Sequence, residues 1–292
     1  MSAVKNRVSV IIVTHNSLPL LDGCLSCVRA ATHNLDHEIV VVDNHSHDSS
    51  LSCVRNCFPD AKIVTNRSNL GFAAACNQGA ALATGEFLLF LNPDVEVDED
   101  GIRNLSAVFA ERDRIGWATA RLRNPDGTFQ PSCRRFPSIR NLLFSRGSFL
   151  SRLAGRRRQA DHRTYTLPDY SQTTIVDAVA GAMAMIRRDV FGQIGWFDER
   201  FFMYLEDTDL SLRLAKAGYA NVFVPEAGGV HHWRMGSSSR RVTRNWHHHR
   251  SVWKFFCKHS ENPSEKALLP VLLAFNFALT MLLPRSDKGG SL

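Results

Sequence analysis

Two carboxylates in this sequence have surroundings that suit group-transfer chemistry. Asp94 follows the apolar run Phe87 to Leu91, which has the length of a buried strand. Asp207 lies one helical turn before Leu210, at the expected start of a helix. A carboxylate just beyond a strand can share a hard divalent cation with phosphates. A carboxylate in the first helical turn stays ionised beside the helix dipole and can accept a proton from a hydroxyl.

Polar residues follow each of four apolar runs in the first third of the chain. They are Thr14, His15 and Asn16 after Val8 to Val13, Asp43 and Asn44 after Ile39 to Val42, Asn66 to Asn69 after Ala61 to Val64, and Asn92, Pro93 and Asp94 after Phe87 to Leu91. The carboxyl ends of parallel strands meet at one edge of a sheet, so these residues predict a ligand site there. Taken singly, each is equally consistent with an ordinary turn or helix cap.

The elements that must position these residues form a βαβ pattern. The strand-like runs are apolar throughout rather than alternating, which indicates that helices cover both faces of the sheet. Further along, the pattern predicts one strand from Val176 to Ile186, interrupted at Gly181, where another group is expected to approach the backbone. We therefore predict an α/β fold with a mostly parallel central sheet. Neither a dinucleotide-binding glycine fingerprint nor a P-loop is present, which disfavours NAD-dependent chemistry and P-loop chemistry.

The chain is basic, with a formal net charge of +7, and its arginines crowd between Arg134 and Arg163. Residues 125–174 lose periodicity and predict an irregular arginine-rich insertion. A basic surface of this kind attracts phosphate, which can belong to a nucleic acid, an anionic membrane or a phosphorylated small molecule. Charge alone does not separate these partners, and a merely solvated loop is the remaining alternative.

The seven cysteines are an odd and scattered set, so we expect reduced thiols rather than a disulfide framework. Cys53 and Cys57 imitate zinc-ligand spacing, but both fall in an expected helix, and small buried side chains are the simpler interpretation. The chain begins without a long apolar leader, which predicts a cytoplasmic protein.

Residues 236–292 predict a C-terminal helical extension. Aromatic and basic residues precede the apolar run Ala267 to Leu283, which is shorter than the roughly 20 residues of a spanning helix and contains Pro270 and Asn276. We expect this run to lie along a membrane surface, with a buried core helix as the alternative.

Five segments resemble, in the same order, the family 2 glycosyltransferases of GT-A fold, especially bacterial rhamnosyltransferase-like members. Within residues 8–260 they are VSVIIVTHNS, VVDNHSHDSS, NRSNLGFAAACNQG, FLLFLNPDVEV and GWFDERFFMYLEDTDLSLRLAKAGY. The resemblance implies a catalytic domain over residues 1–235 that moves a sugar from a nucleotide diphosphate to an acceptor hydroxyl, with inversion. It further implies a dTDP-rhamnose donor, a lipid-linked saccharide acceptor for cell-envelope polysaccharide, and Mg²⁺ or Mn²⁺ as cofactor. The expected location is the inner face of the cytoplasmic membrane, with no nucleic-acid partner.

The resemblance also implies roles for individual residues on the donor side. Thr14 and Asn16 would line the nucleotide site, and Asp43 would recognise the base. The residues that would flank the nucleotide or its phosphates are Asn69, Gly71 and Asn77. Asn92 and Asp94 stand at the family's D-x-D motif, where Asn92 replaces the first acid and Asp94 would bind the metal and diphosphate.

On the acceptor side, the resemblance makes Asp207 the catalytic base. Glu206 and Asp209 would support it, and Gly181 would lie beside the acceptor. A histidine would complete the metal site, and we prefer His231 to its neighbour His232.

Two alternatives stay open at this point. A nucleotidyltransferase can use a similar sheet and metal. A basic module that binds nucleic acid or membranes would explain the arginines but not the acidic motifs.

Overall fold

A computed structural model of the 292-residue chain describes residues 4–112, 114–138, 170–233 and 241–282. The described residues fall into two compact units. The larger contains residues up to Phe136 together with 170–233, and the smaller contains residues 137 and 138 and the C-terminal segment 241–282.

The larger unit alternates strands with helices, as the apolar pattern predicts. Its strands are β1 Val4–Thr14, β2 His37–Asp43, β3 Lys62–Thr65, β4 Gly85–Leu91, β5 Val95–Val97, β6 Ile115–Arg123, β7 Phe129–Gln130, β8 Cys133–Arg134, β9 Thr174–Val176, β10 Ala178–Val179, β11 Met183–Arg187 and β12 Ala220–His231. Its helices are α1 Leu18–Thr32, α2 Ser50–Cys57, α3 Phe72–Leu82, α4 Gly101–Glu111, α5 Arg188–Gln193 and α6 Glu206–Lys216.

The central sheet has the order β3-β2-β1-β4-β11-β6-β12-β5. Strands β1 to β4 run parallel, and Thr14 pairs with Asp43, which in turn pairs with Thr65. The carboxyl ends of these strands therefore share one edge, and the predicted α/β fold with a mostly parallel sheet is confirmed. Strand β11 is antiparallel to β4 and β6, while β12 is parallel to β6.

Both faces of the sheet are covered, as the continuous apolar runs of the strands indicate. In β1, Val10 and Ile12 pack into the core that contains Leu21 of α1. The intervening Ile11 packs into the opposite core, which contains Cys76 of α3. Successive strand residues point to opposite faces, so helices on both sides bury the whole strand.

The prediction of one strand from Val176 to Ile186 was wrong. Three strands, β9, β10 and β11, occupy this stretch, because the backbone leaves the ladder between them. The amide of Ala180 donates to the carbonyl of Ser132 at 2.7 Å, and the carbonyl of Ala182 accepts from the amide of Asn92 at 2.8 Å. Gly181 therefore lies in a short connection that turns toward neighbouring loops.

The predicted irregular insertion at 125–174 begins with regular structure. A tight turn follows Arg123, after which β7 pairs with β6 and β8 pairs with β10. A local hairpin with β6 and a pairing with the more distant β10 order this stretch despite its lack of periodicity. Most of the predicted arginine cluster, from Arg140 to Arg163, lies outside the described residues.

The smaller unit contains helices α7 Arg241–His259 and α8 Pro263–Leu282. The ring centroids of Trp246 and Phe277 are 6.1 Å apart, and His249 Nε2 lies 3.0 Å from Asn276 Nδ2, so the two helices pack on each other. Pro270 is accommodated inside α8. Within the described part of the chain, no helix combines the length and apolar character needed to cross a bilayer.

Candidate active site

The loops after β1 and β2 are held together at the predicted edge. The amide of Asn44 donates to the carbonyl of Thr14 at 2.8 Å, and the amide of Asn16 donates to Ser46 Oγ at 3.0 Å. Asn16 adopts a left-handed conformation with φ of 53°, and its side-chain oxygen accepts from the amide of His47 at 2.7 Å. The structure thus brings Thr14, Asn16 and the adjoining Asp43 together.

Asn44 is the central residue of this edge. The sequence placed it among the polar residues that follow the strands but assigned it no individual role. It is 2% exposed. Its amide nitrogen donates to Asn69 Oδ1 at 2.9 Å, and its amide oxygen accepts from the backbone amide of Leu70 at 3.0 Å. Asn66 also donates to that oxygen, at 3.1 Å. A polar residue directly after a strand-end aspartate was the available signal.

Gly71 is required by its conformation and by its neighbour. Its φ is +89°, and a Cβ at this position would collide with the carbonyl oxygen of Phe202. The next amide, that of Phe72, donates to this same carbonyl at 2.8 Å. Gly71 therefore lets the segment that leads into α6 contact the start of α3.

Asn77 makes a second connection between α3 and the segment before α6. Its amide nitrogen donates to the carbonyl of Phe197 at 3.0 Å and to Glu199 Oε1 at 2.9 Å. Its amide oxygen accepts from the amide of Phe197 at 3.1 Å. The side chain is 8% exposed, so the contacts observed for Asn77 position protein segments relative to each other.

Asp94 and His231 meet at the far end of the same edge. Asp94 follows Asn92 and Pro93 in the turn between β4 and β5, and Val95 of β5 pairs with His231 of β12. Asp94 Oδ1 lies 3.3 Å from His231 Nε2. Neither atom makes a hydrogen bond with the described residues, although both are buried.

This arrangement fits a divalent cation. His231 Nδ1 lies 2.6 Å from Gln130 Oε1, an acceptor, so Nδ1 carries a proton. In the neutral imidazole Nε2 is then an acceptor that faces a carboxylate oxygen. Two unpaired acceptors in contact are stabilised by a cation between them, and carboxylate with imidazole is a suitable donor set.

His232 points elsewhere. Its Nε2 lies 3.1 Å from Glu96 Oε1, and only its backbone amide reaches Asp94, by donating to the carbonyl at 2.9 Å. The geometry therefore favours His231 over His232 as the partner of the Asp94 carboxylate.

Asp207 lies in the first turn of α6 and is 6% exposed. Its Oδ1 accepts from the Thr208 amide at 2.7 Å, and its Oδ2 accepts from the Gly181 amide at 3.3 Å. Arg134 Nη1 lies 3.4 Å from the same Oδ2. The two donated hydrogen bonds and the neighbouring guanidinium hold the carboxylate in one orientation at the helix start.

The 180–182 connection joins the two acidic positions. Gly181 contacts Asp207 Oδ2, and the adjacent Ala182 contacts the backbone of Asn92. A Cβ added to Gly181 would lie 3.6 Å from Asp207 Cβ, an ordinary contact distance. Asp207 is thus the group that contacts the Gly181 backbone, and the space beside Gly181 would also accept a Cβ.

Glu206 and Asp209 differ from each other. Burial and, secondarily, the charge of Asp207 raise the pKa of Glu206 to about 8. Asp209 is fully buried and pairs with Arg213 at 2.8 Å, while Arg213 also donates to the carbonyls of Ile194 and Trp196. Asp209 therefore anchors α6 to the preceding turn.

Two consecutive strained residues lie just before helix α6. Tyr204 and Leu205 have φ values of 71° and 67°, and Leu205 is the N-cap of α6. Non-glycine residues in this region cost about 1 kcal/mol or more each and persist where surrounding contacts hold them. The contact of Phe202 with α3 is such a constraint.

Solved structures of sugar transferases share this architecture. The mannosyltransferase PcManGT from Pyrobaculum calidifontis, in complex with GDP-Man and Mn²⁺, matches 99% of this chain and 77% of its own, with a TM-score of 0.59 and 21% identity. GalNAc-T7 with UDP, GalNAc and Mn²⁺ matches 92% of this chain and 54% of its own, with a TM-score of 0.59 and 18% identity. The fold is therefore the GT-A fold, as predicted.

The model of Glycosyl transferase family 2 matches residues 9–195, and that of Glycosyl transferase family group 2 matches residues 136–280. Because the first match covers more than half of the sequence, the chain belongs to glycosyl transferase family 2 and is a glycosyltransferase.

Two curated relatives are rhamnosyltransferases. The N-acetylglucosaminyl-diphospho-decaprenol L-rhamnosyltransferase of Mycobacterium tuberculosis is 28% identical over 271 residues, 86% of this chain and 84% of that protein. Rhamnosyltransferase WbbL of Escherichia coli is 28% identical over 152 residues, 51% of this chain and 53% of that protein. These matches confirm the predicted rhamnosyltransferase-like resemblance.

Proposed function

We propose that this enzyme transfers rhamnose from dTDP-rhamnose to a hydroxyl of a lipid-linked saccharide, with inversion, in the synthesis of a cell-envelope polysaccharide. The observation that carries the reaction type is the pair of acidic positions joined by the 180–182 connection. Asp94 faces an unpaired imidazole nitrogen, and Asp207 is an ordered, buried carboxylate at a helix start. The choice of donor and acceptor is supported by the similarity to the Mycobacterium tuberculosis enzyme.

In this proposal Asp94 and His231 hold Mg²⁺ or Mn²⁺, which when bound neutralises charge on the leaving diphosphate. Thr14, Asn16 and Asp43 line the nucleoside. Asn69 and Gly71 hold the adjoining loop against it, and Asn92 precedes the diphosphate-binding acid in the same turn. Asn44, at the centre of these loops, keeps their polar groups in fixed positions.

Asp207 accepts the proton of the acceptor hydroxyl. The acceptor oxygen then forms a bond to the anomeric carbon while the bond from that carbon to the diphosphate oxygen breaks, so the configuration inverts. The Gly181 amide and Arg134 hold the carboxylate in position, which suits a general base.

We further propose that helices α7 and α8 attach the enzyme to the inner face of the cytoplasmic membrane. Leu268, Val271 and Phe275 recur at helical spacing on α8 and are all more than half exposed. Exposed Trp246 and Trp253 of α7 are amphipathic rings of the kind found at membrane interfaces. Truncation before Ser264 is expected to release the protein from anionic vesicles, and continued sedimentation with them would contradict attachment through α8.

The proposed reaction is tested by incubating the purified chain with Mn²⁺, a lipid-linked saccharide and a panel of nucleotide sugars. We expect release of a nucleoside diphosphate, greatest with dTDP-rhamnose. Release of pyrophosphate would indicate a nucleotidyltransferase instead, and release from a different donor would overturn the choice of rhamnose.

A further inference from the structure

A tight turn next to the candidate metal site is built from side-chain hydrogen bonds. It joins β6 to β7 over residues 124–128 and is closed by the Asn124 amide, which donates to the Thr128 carbonyl at 2.8 Å. Gly127 supplies the left-handed residue that the turn requires, with φ of +83°. The turn carries polar side chains that extend from the surface toward buried His231.

The direction of these hydrogen bonds is determined at the surface end. The ionised Asp126 carboxylate can only accept, and hydrogen bonds from Thr128 lower its pKa. The Thr128 hydroxyl donates its single proton to Asp126 Oδ1 at 2.6 Å. The hydroxyl oxygen therefore accepts from Asn124 Nδ2, which lies 2.9 Å away.

The hydrogen bonds nearer to His231 have a fixed direction as well. Because the Asn124 amide nitrogen faces Thr128, its amide oxygen faces Gln130 and accepts from Gln130 Nε2 at 2.9 Å. The Gln130 oxygen is then directed at His231 Nδ1, 2.6 Å away. An acceptor at this distance requires a proton on Nδ1, so the second proton position, Nε2, is left with a lone pair toward Asp94.

We propose that Asp126, Thr128, Asn124 and Gln130 form a tautomer relay, which holds His231 with its proton on Nδ1 and its Nε2 lone pair directed at the cation shared with Asp94. The inference rests on the proposed function for the presence of that cation. Gln130 is a positioning residue in this scheme, since it acts through His231. Metal-binding histidines commonly donate their second ring N–H to such an acceptor, and loss of that acceptor lowers metal affinity about 10- to 100-fold.

The first test reads the tautomer directly and needs neither metal nor activity. Nitrogen NMR on ¹⁵N-histidine-labelled protein distinguishes the two neutral tautomers from each other and from the imidazolium, and the signals are assigned with His231→Gln. We expect Nδ1–H in the wild type, and a shift toward Nε2–H in Gln130→Met, because Nε2–H can then donate to Asp94. A wild-type Nε2–H tautomer would overturn the relay.

The second test measures Mn²⁺ binding by electron paramagnetic resonance, including the coupling of a ring nitrogen to the bound ion. Gln130→Met is expected to weaken binding about 10-fold or more and to reduce the nitrogen coupling. Gln130→Glu keeps an acceptor for Nδ1–H but loses the hydrogen bond to Asn124, so it is expected to restore part of both. Gln193→Met, at an exposed glutamine on α5 that contacts Tyr219, is the matched control and should bind as wild type.

The outcomes separate the relay from the proposed reaction and from a folding defect. If Gln130→Met bound Mn²⁺ with wild-type affinity and showed wild-type nitrogen coupling, the relay would be overturned. This holds whichever sugar donor the enzyme uses. Gln130→Glu that fails to restore binding while folded by circular dichroism would also overturn it. Absence of transfer by a wild-type protein that shows the Nδ1–H tautomer would instead count against the proposed function alone.

Discussion

The Asp94 region and the Asp207 region of the sheet edge differ in how their carboxylates are satisfied. Asp94 Oδ1 is buried beside a histidine nitrogen and accepts no hydrogen bond from the described residues. Asp207 accepts from two backbone amides and lies beside Arg134. A buried carboxylate oxygen without a partner is costly unless a cation completes it, whereas hydrogen bonds fix the orientation of a carboxylate. This difference supports the proposed roles of metal binding for the Asp94 region and proton acceptance for the Asp207 region.

The largest effect on transfer is expected from Asp207→Asn. The amide keeps the shape of the side chain but cannot accept the acceptor's proton, so kcat should fall about 10³-fold. Mn²⁺ and nucleotide affinity should stay at wild-type values, because the Asp94 region is intact. Steady-state kinetics with Mn²⁺ titration checks both, and a kcat within about threefold of wild type would remove Asp207 from the base role.

Asp94→Asn should act on the opposite region. Loss of the carboxylate charge beside His231 is expected to weaken Mn²⁺ binding about 10- to 100-fold, with partial recovery of activity at raised Mn²⁺. Asp60→Asn, at an exposed loop position, is the matched control. If Asp94→Asn bound Mn²⁺ normally, the contrast between the two acids would be lost.

Arg134→Met tests whether the Asp207 carboxylate depends on its guanidinium neighbour. We expect a drop in kcat of about 10-fold, with unchanged Mn²⁺ affinity, because the carboxylate loses one of its positioning contacts. Arg134→Lys should recover part of that loss. Equal activity of all three proteins would show that the backbone amides alone position Asp207.

Glu206→Gln should change the pH dependence of stability more than the rate of transfer. The pKa of Glu206 is raised by burial from 4.5 to about 8, so the folded state binds its proton more strongly than the unfolded chain does. Its stabilising effect is complete below about pH 4.5 and is lost as pH rises toward 8. The free energy of unfolding of the variant, measured in urea, should therefore rise relative to that of the wild type between pH 4.5 and pH 8, by on the order of 4 kcal/mol.

Glu38→Gln, outside the candidate active site, should change the pH dependence of stability in the opposite direction. Burial raises the pKa of Glu38, but hydrogen bonds from Lys62, Ser9 and Thr84 outweigh it and lower the pKa to about 2. Its contribution is present above pH 4.5 and is lost as pH falls toward 2, so Glu38→Gln should destabilise the protein by about 3 kcal/mol at neutral pH. Parallel pH profiles for the two variants would contradict both assignments.

The sequence predicted what depends on local pattern. Continuous apolar strands followed by polar residues predicted the parallel sheet and its edge, and helical spacing placed Asp207 at the start of α6. It missed contacts between distant segments. Asn44 acquires its role by contacting the 66–71 loop, and Gln130 becomes significant only because β7 lies beside His231.

The sequence predicted an interruption at Gly181, but it missed the division of this stretch into three strands for the same reason. Ala180 and Ala182 leave the strand to bond Ser132 and Asn92, and neither partner is close in sequence. The apolar character of Val176 to Ile186 does not predict those hydrogen bonds, because a buried connection and a buried strand have similar composition.

The most direct test of the account is the anomeric configuration of the product, determined by NMR, from a reaction with wild-type enzyme and an active donor. A single displacement with Asp207 as the base predicts the configuration opposite to that of the donor. Retention of configuration would contradict that mechanism and the role assigned to Asp207.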